Sequence, residues 1–170
     1  MADLIFVEPV APITWRAPGT GGTNDITLAS LGVGAGRQGE HHPLDGGTHT
    51  DARVGLYSWR FFCQFNTAPV FRDTVRIFGK TSDGANPDND DGVGDIALSS
   101  LEKLFNLDLL GILMVDEEAT GVRMVKHGSG LWLPYDDWAP VIVNDAADIL
   151  SATAAHCGFD LIPTPPQANQ

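Results

Sequence analysis

The chain has 170 residues, 43% of them hydrophobic, enough for one domain to bury a core without help from metals or disulfides. Ten Lys and Arg face 22 Asp and Glu, a formal net charge of −12, and the basic residues are scattered from Arg16 to Lys126 without forming a block. Phosphate backbones and anionic membrane surfaces both select clustered positive charge, so neither nucleic acid nor membrane is an expected partner.

Plentiful Gly (19) and Pro (11) with only 19% charged residues favour turns and strands over helices. The opening MADLIFVEPVAP has neither the basic region nor the long apolar stretch of a signal peptide, and the expectation is a protein made in the cytoplasm. Leu107 to Val115 is the richest apolar window; it is interrupted by Asp108 and too short to span a bilayer.

Residues 1–52 read as an extended Gly-rich arm, because ten of the 19 glycines fall between Gly19 and Gly55 and core-forming side chains are sparse. Short β-like pieces lie inside it at Leu4 to Val7, Ile13 to Arg16 and Ile26 to Leu31, and the arm is expected to gain order from what it lies against.

From 53 to 163 the pattern is that of a folded β-domain. Val54 to Asn66 (VGLYSWRFFCQFN) is its strongest strand, with Tyr57, Trp59, Phe61, Cys63 and Phe65 on the core face. Further strands are predicted at Thr74 to Lys80, Leu109 to Asp116, Gly121 to Lys126, Leu131 to Leu133, Val141 to Asn144, Ile149 to Thr153 and Phe159 to Ile162. Short strands at this spacing predict an all-β fold, an antiparallel jelly-roll-like β-sandwich. One short helix is predicted over Ser99 to Asn106, capped by Ser99 with Glu102 three residues on, as a crossover covering an end of the sandwich. Residues 164–170 form a Pro-rich tail.

Cys63 and Cys157 have no paired motif spacing and read as buried, reduced thiols. The loop TSDGANPDNDDGVGD concentrates carboxylates, and Asp88, Asp90 and Asp91 are its candidate Ca2+ ligands. The EF-hand pattern fails, since Asp91 stands where Gly is required, and a solvated acidic turn competes with cation binding. No other cofactor is expected. His41, His42 and His49 beside Asp45 and Asp51 are ligand types for a transition metal, but their spacing fits no standard site.

Catalytic constellations are weak. Ser129 in GSG lacks the nucleophile elbow and reads as a hairpin turn, and His156 and Cys157 would point to opposite faces of a strand. Asp116, Glu117, Glu118, Asp136 and Asp137 could supply paired carboxylates but sit in turn-like contexts, and GVGAG lacks the βαβ setting of a nucleotide site. The expectation is a non-enzyme. Ile5, Phe6, Ile13 and Trp15 in the arm, with Trp132, Tyr135 and Trp138, are the candidate interface anchors, aromatic residues being enriched there.

The succession VGLYSWRFFCQFN, TVRIFGKTSDGANPDNDDGVGDIALSS, LLGILMVDEEATGVRMV and LWLPYDDWAPVIVNDAADILSATAAHCGFDLIPTPP resembles small virion proteins of tailed bacteriophages, of the β-sandwich decoration (cement) or tail-associated type. The resemblance covers roughly residues 53 to 166 and is one of overall pattern, with no counterpart for the arm. It implies a virion component without separating head from tail; the leading expectation is a capsid decoration protein that contacts the major capsid protein and neighbouring copies of itself through the arm, as a homo-oligomer, a trimer foremost. A tail or baseplate subunit is the alternative within the same class, and a module binding host surface glycans through Trp132, Tyr135 and Trp138 the alternative from another.

Overall fold

The structure, a computed structural model, describes residues 11–44, 55–82, 88–89, 91–133 and 137–164. Its strands are β1 (Ile13–Arg16), β2 (Asn24–Asp25), β3 (Ala35–Gln38), β4 (His42–Pro43), β5 (Leu56–Cys63), β6 (Thr74–Ser82), β7 (Ile96–Ala97), β8 (Asp108–Met114), β9 (Met124–Trp132), β10 (Asp137–Asn144) and β11 (Gly158–Pro163). They form two sheets: a first of order β2-β1-β11-β5-β9, and a second of order β7-β3-β10-β6-β8 in which β4 also pairs with β10. The fold is all-β, two sheets closing on one apolar core, as the periodicity predicts.

The β5 pattern explains the core. Tyr57, Trp59, Phe61, Cys63 and Phe65 are all buried, and they meet Val75, Ile77 and Leu113 together with Trp138 and Ile142 of the second sheet. Because Cβ atoms alternate across a strand, Leu56, Ser58, Arg60 and Phe62 are left on the outer face of the first sheet.

The largest difference from the sequence reading lies in residues 11–44, expected as an arm ordered by a partner. Instead, β1 pairs antiparallel with β11 in the first sheet, and β3 pairs antiparallel with β10 in the second. Trp15 is fully buried, its ring 5.3 Å from that of Trp138 and 5.8 Å from that of Phe159, and its Nε1 donates to the Glu40 carbonyl at 2.7 Å. Gly39 permits this, since a Cβ there would stand 2.6 Å from the Trp15 ring. Glycine here serves close packing of backbone on indole. Ile26 to Leu31, predicted as a strand, has buried apolar residues but no ladder, because this stretch carries the chain from β2 in one sheet to β3 in the other. Residues 1–10 and 45–52 of the expected arm lie outside the described residues, as does 165–170 of the tail.

Three more expectations change. The helix over Ser99 to Asn106 is a single 3-10 turn, Leu101–Leu104, capped by Ser100, whose side chain accepts from the Glu102 amide. Only Leu104 of that turn is buried, too narrow a stripe to hold an α-helix by packing. It covers the outer face of the second sheet rather than an end: Leu98, Leu104 and Leu107 pack on Phe78, Val141 and Val143 in a second, smaller core. Residues 128–130 are not a hairpin turn, since β9 runs on through them, crossing Trp59 where a Cβ on Gly128 would stand 2.6 Å from the indole nitrogen. The Ile149 to Thr153 strand is reduced to an isolated bridge between Leu150 and Phe65, followed by a 3-10 turn at Ala154–His156.

Candidate functional site

Three features of the described surface and interior carry chemistry. The first lies beneath the acidic loop, on the outer face of the second sheet. Gln38 of β3 and Lys80 of β6 flank β10 on the face also lined by Phe78 and Val141, and both are fully buried. Lys80 Nζ donates to Gln38 Oε1 and to the Gly92 carbonyl, each at 2.6 Å, while Gln38 Nε2 donates to the carbonyls of Gly92 and Gly94 at 3.0 and 2.9 Å. Burial lowers the lysine to about 8, with Asp91 and Asp88 pulling it partly back up. An ammonium held by a loop carbonyl and an amide oxygen occupies the role a metal cation would take: the acidic loop folds over a cation supplied by the chain itself.

His41 sits beside this group. Its amide donates to the Val93 carbonyl at 2.9 Å, and both ring nitrogens are buried without a hydrogen-bond partner. Burial and then the Lys80 charge lower it to about 4, against the opposing pull of Asp88.

The second feature is a pocket of about 310 Å3 on the outer face of the first sheet, lined by Arg16, Arg60, Phe62, Arg123, Val125 and Ala155. Strand alternation sets Arg16 of β1, Asp160 of β11 and Arg60 of β5 side by side on that face. Asp160 is buried; Arg60 Nε donates to its Oδ2 at 2.8 Å, and Arg16 Nη2 donates to its Oδ1. Arg16 Nη1 is further held by the carbonyls of Trp15 and Phe159, both at 2.8 Å. The guanidinium carbons of Arg16, Arg60 and Arg123 lie 4.9, 5.9 and 4.8 Å from the centre of the Phe62 ring. Gly158, directly opposite Phe62 in the ladder, makes room for both, since a Cβ there would meet Phe62 and Arg16 below 3.0 Å. Three guanidinium groups around one carboxylate leave two positive charges in excess, on a chain whose net charge is −12.

The third feature is β8, the edge strand of the second sheet, which among the described residues is paired on one side alone, with β6. In β8, Leu109, Ile112 and Met114 oppose Phe78, Arg76 and Thr74, which alternate along β6, so all three project from one face. They are 54%, 42% and 58% exposed. Phe105, just before the strand, is 86% exposed.

Comparison with known protein families, with curated proteins and with solved structures finds no match.

The expected site residues fall in different places. Ile13 and Trp15, expected at an interface, are core residues, as is Trp138 at 1% exposure. Their apolar surface is spent inside the fold, which removes Trp138 from any stacking platform. Trp132 is 70% exposed, its ring lying over Gly55. Ile5, Phe6 and Tyr135 lie outside the described residues, as do Asp90, His49 and Asp136. Of the candidate Ca2+ ligands, Asp88 accepts from the Thr81 amide at 2.9 Å and Asp91 from the Ser99 hydroxyl at 2.6 Å. The two carboxylates thus serve different turns, and among the described residues no group of three or more metal-ligating side chains converges.

His42, expected as a possible ligand beside His41, is buried with Nδ1 on the Asn24 side-chain amide. Glu118 accepts from the Phe71 amide at 2.9 Å, while Asp116 and Glu117 are exposed. His156 Nδ1 lies 3.0 Å from Ser151 Oγ, which also accepts from the Thr153 amide, a brace for the 3-10 turn. Cys63 and Cys157 are buried and free, and burial raises both thiols, leaving them poor nucleophiles.

Sequence reasoning missed the arginine pocket and the Lys80 cage. No local spacing links Arg16, Arg60 and Arg123; only the strand order gathers them. The available signal was that Arg60 and Phe62 fall on the non-core face of the strongest strand.

Proposed function

We propose that this chain is a non-enzymatic structural protein of a tailed-bacteriophage virion, a jelly-roll-like decoration subunit that docks on the capsid surface beside neighbouring copies. The observation that carries the reading is the apolar row Leu109, Ile112 and Met114 along the edge strand β8. Soluble proteins guard long sheet edges with charge, Pro or brevity. β8 spans seven residues, DLLGILM, and its single charged residue is Asp108 at the start. Such an edge gains both backbone hydrogen bonds and apolar burial when a partner covers it.

Lattice geometry suits so small a contact. Fully burying an aliphatic side chain is worth roughly 1.5–3 kcal/mol, so three half-exposed side chains supply a few kcal/mol per subunit. That is weak for one copy and secure for a shell held through many contacts. The acidic surface keeps free subunits apart until they dock. The resemblance of residues 53 to 166 to decoration or tail-associated virion proteins supports the virion class, although the contact shifts from the N-terminal segment to β8.

The experiment is co-sedimentation of the purified protein with empty phage heads, alongside light scattering of the protein alone. Binding by the native chain and its loss in Ile112→Asp, with unchanged circular dichroism, is the expected result. A folded native chain that ignores heads overturns the decoration role, and a variant that binds as well as the native chain overturns the β8 contact.

A further inference from the structure

On the opposite face of the sandwich, Arg16, Arg60 and Arg123 converge on Phe62 with their guanidinium carbons all within 6 Å of its centre. Like charges so close repel, and the one carboxylate among them, Asp160, is used on both oxygens by Arg16 and Arg60. Arg16 is committed further to two backbone carbonyls. Arg60 is committed through Nε and Nη2, and its side chain is 52% exposed, with Nη1 outside both of those bonds. Arg123 touches Phe62 and forms no ion pair among the described residues. The pocket therefore has a rigid floor, Asp160 with Arg16 and Phe62, and unspent donors at its rim.

We propose that this pocket is a receptor for a small oxyanion, a carboxylate or a phosphate, gripped by Arg123 and the outward edge of Arg60. A guanidinium presents a planar fork of donors that matches either oxyanion, and two forks can share one ligand. Phe62 gives the guanidinium groups an aromatic face to lie against, and Val125 and Ala155 complete the lining. Asp160 gives the site its rigidity: it fixes Arg16 and Arg60 before any ligand arrives, so little side-chain entropy is lost on binding. The inference stands independently of the virion reading, since it uses a different face of the molecule.

The test is a titration of the full chain with sodium phosphate and, separately, with sodium acetate at constant ionic strength, following the arginine Nε–H resonances by NMR. Saturating shifts at Arg60 and Arg123 are expected with at least one of the two anions, and whichever saturates at lower concentration identifies the chemistry. Arg123→Gln, an exposed change outside the strands, should weaken that binding at least tenfold while leaving the rest of the spectrum in place. Shifts that fail to saturate with either anion, or that persist unchanged in Arg123→Gln, would overturn the site. Should Arg123→Gln perturb the fold, Arg60→Lys supplies the second arm: it keeps the charge and loses the fork, and unaltered affinity in it would equally refute the proposal.

Discussion

The sandwich has two long edge strands, β8 and β9, and they are built differently. Each borders Trp59 through a glycine, Gly111 on β8 and Gly128 on β9, so one indole ring supports both edges. β9 (MVKHGSGLW) carries Lys126 and His127, two glycines and a register shift against β5, features that discourage pairing with a stranger. β8 also carries a register shift, but its exposed face is Leu, Ile and Met. The other edges, β2 and β7, are two residues each and offer little to pair with. Among the described residues, β2 and β7 are short and β9 sets its exposed Val125 and Trp132 apart with charge and glycine, whereas β8 presents three apolar side chains in a row. Burial inside the fold explains neither choice; the proposed docking would account for the exception.

Removing their shared support should disturb both edges most. Trp59→Ala empties a buried indole site and is expected to cost about 3–5 kcal/mol in chemical denaturation. A loss under about 1 kcal/mol would mean that the edges do not rest on this ring.

The sheet that bears β8 should also be the more acid-sensitive. His41, under the acidic loop, has a folded value of about 4 against an ordinary 6.5. The folded state refuses a proton that the unfolded chain accepts between those values. Its contribution is therefore present above about pH 6.5, is lost progressively as the pH falls towards 4, and amounts to about 3 kcal/mol when fully lost. Stability measured from pH 7 to pH 4 should decline less steeply in His41→Phe than in the native chain. Parallel curves would contradict the assignment. Lys80 works at the other end: its lowered value of about 8 means that folding strengthens as the pH rises from there towards its ordinary 10.5.

Gly128→Ala separates the edges. A Cβ at 2.6 Å from the Trp59 nitrogen must displace β9, at about 1–3 kcal/mol, without touching β8. The smallest effect on the fold belongs to Ile112→Lys, an exposed change expected to alter stability by no more than about 0.5 kcal/mol while raising solubility. Unchanged solubility would mean that the β8 row is not adhesive.

How much of this was legible in the sequence depends on how local each feature is. The β5 core face could be read directly, since alternation over Tyr57 to Phe65 is a property of one strand. The two-sheet, all-β class followed from similar short-range patterns. Residues 11–44 were misread because their glycines look like flexibility when taken alone. Gly39 in fact lets Trp15 reach the core, and the β1 and β3 ladders are made with β11 and β10, distant in sequence. The acidic loop reads from sequence as either a solvated turn or a cation site; Lys80, immediately before it, gives no sign of its role, because its ammonium is met by Gly92 and by Gln38 of β3, 42 residues away. The arginine pocket is likewise a product of strand order.

The asymmetry of the edges is tested most directly by hydrogen–deuterium exchange on the protein free and bound to empty heads. Docking through β8 predicts slowed exchange over Asp108–Met114 in the bound state, with β9 amides unchanged. Protection confined to β9 or to the arginine face, with Asp108–Met114 exchanging as in the free protein, would contradict it.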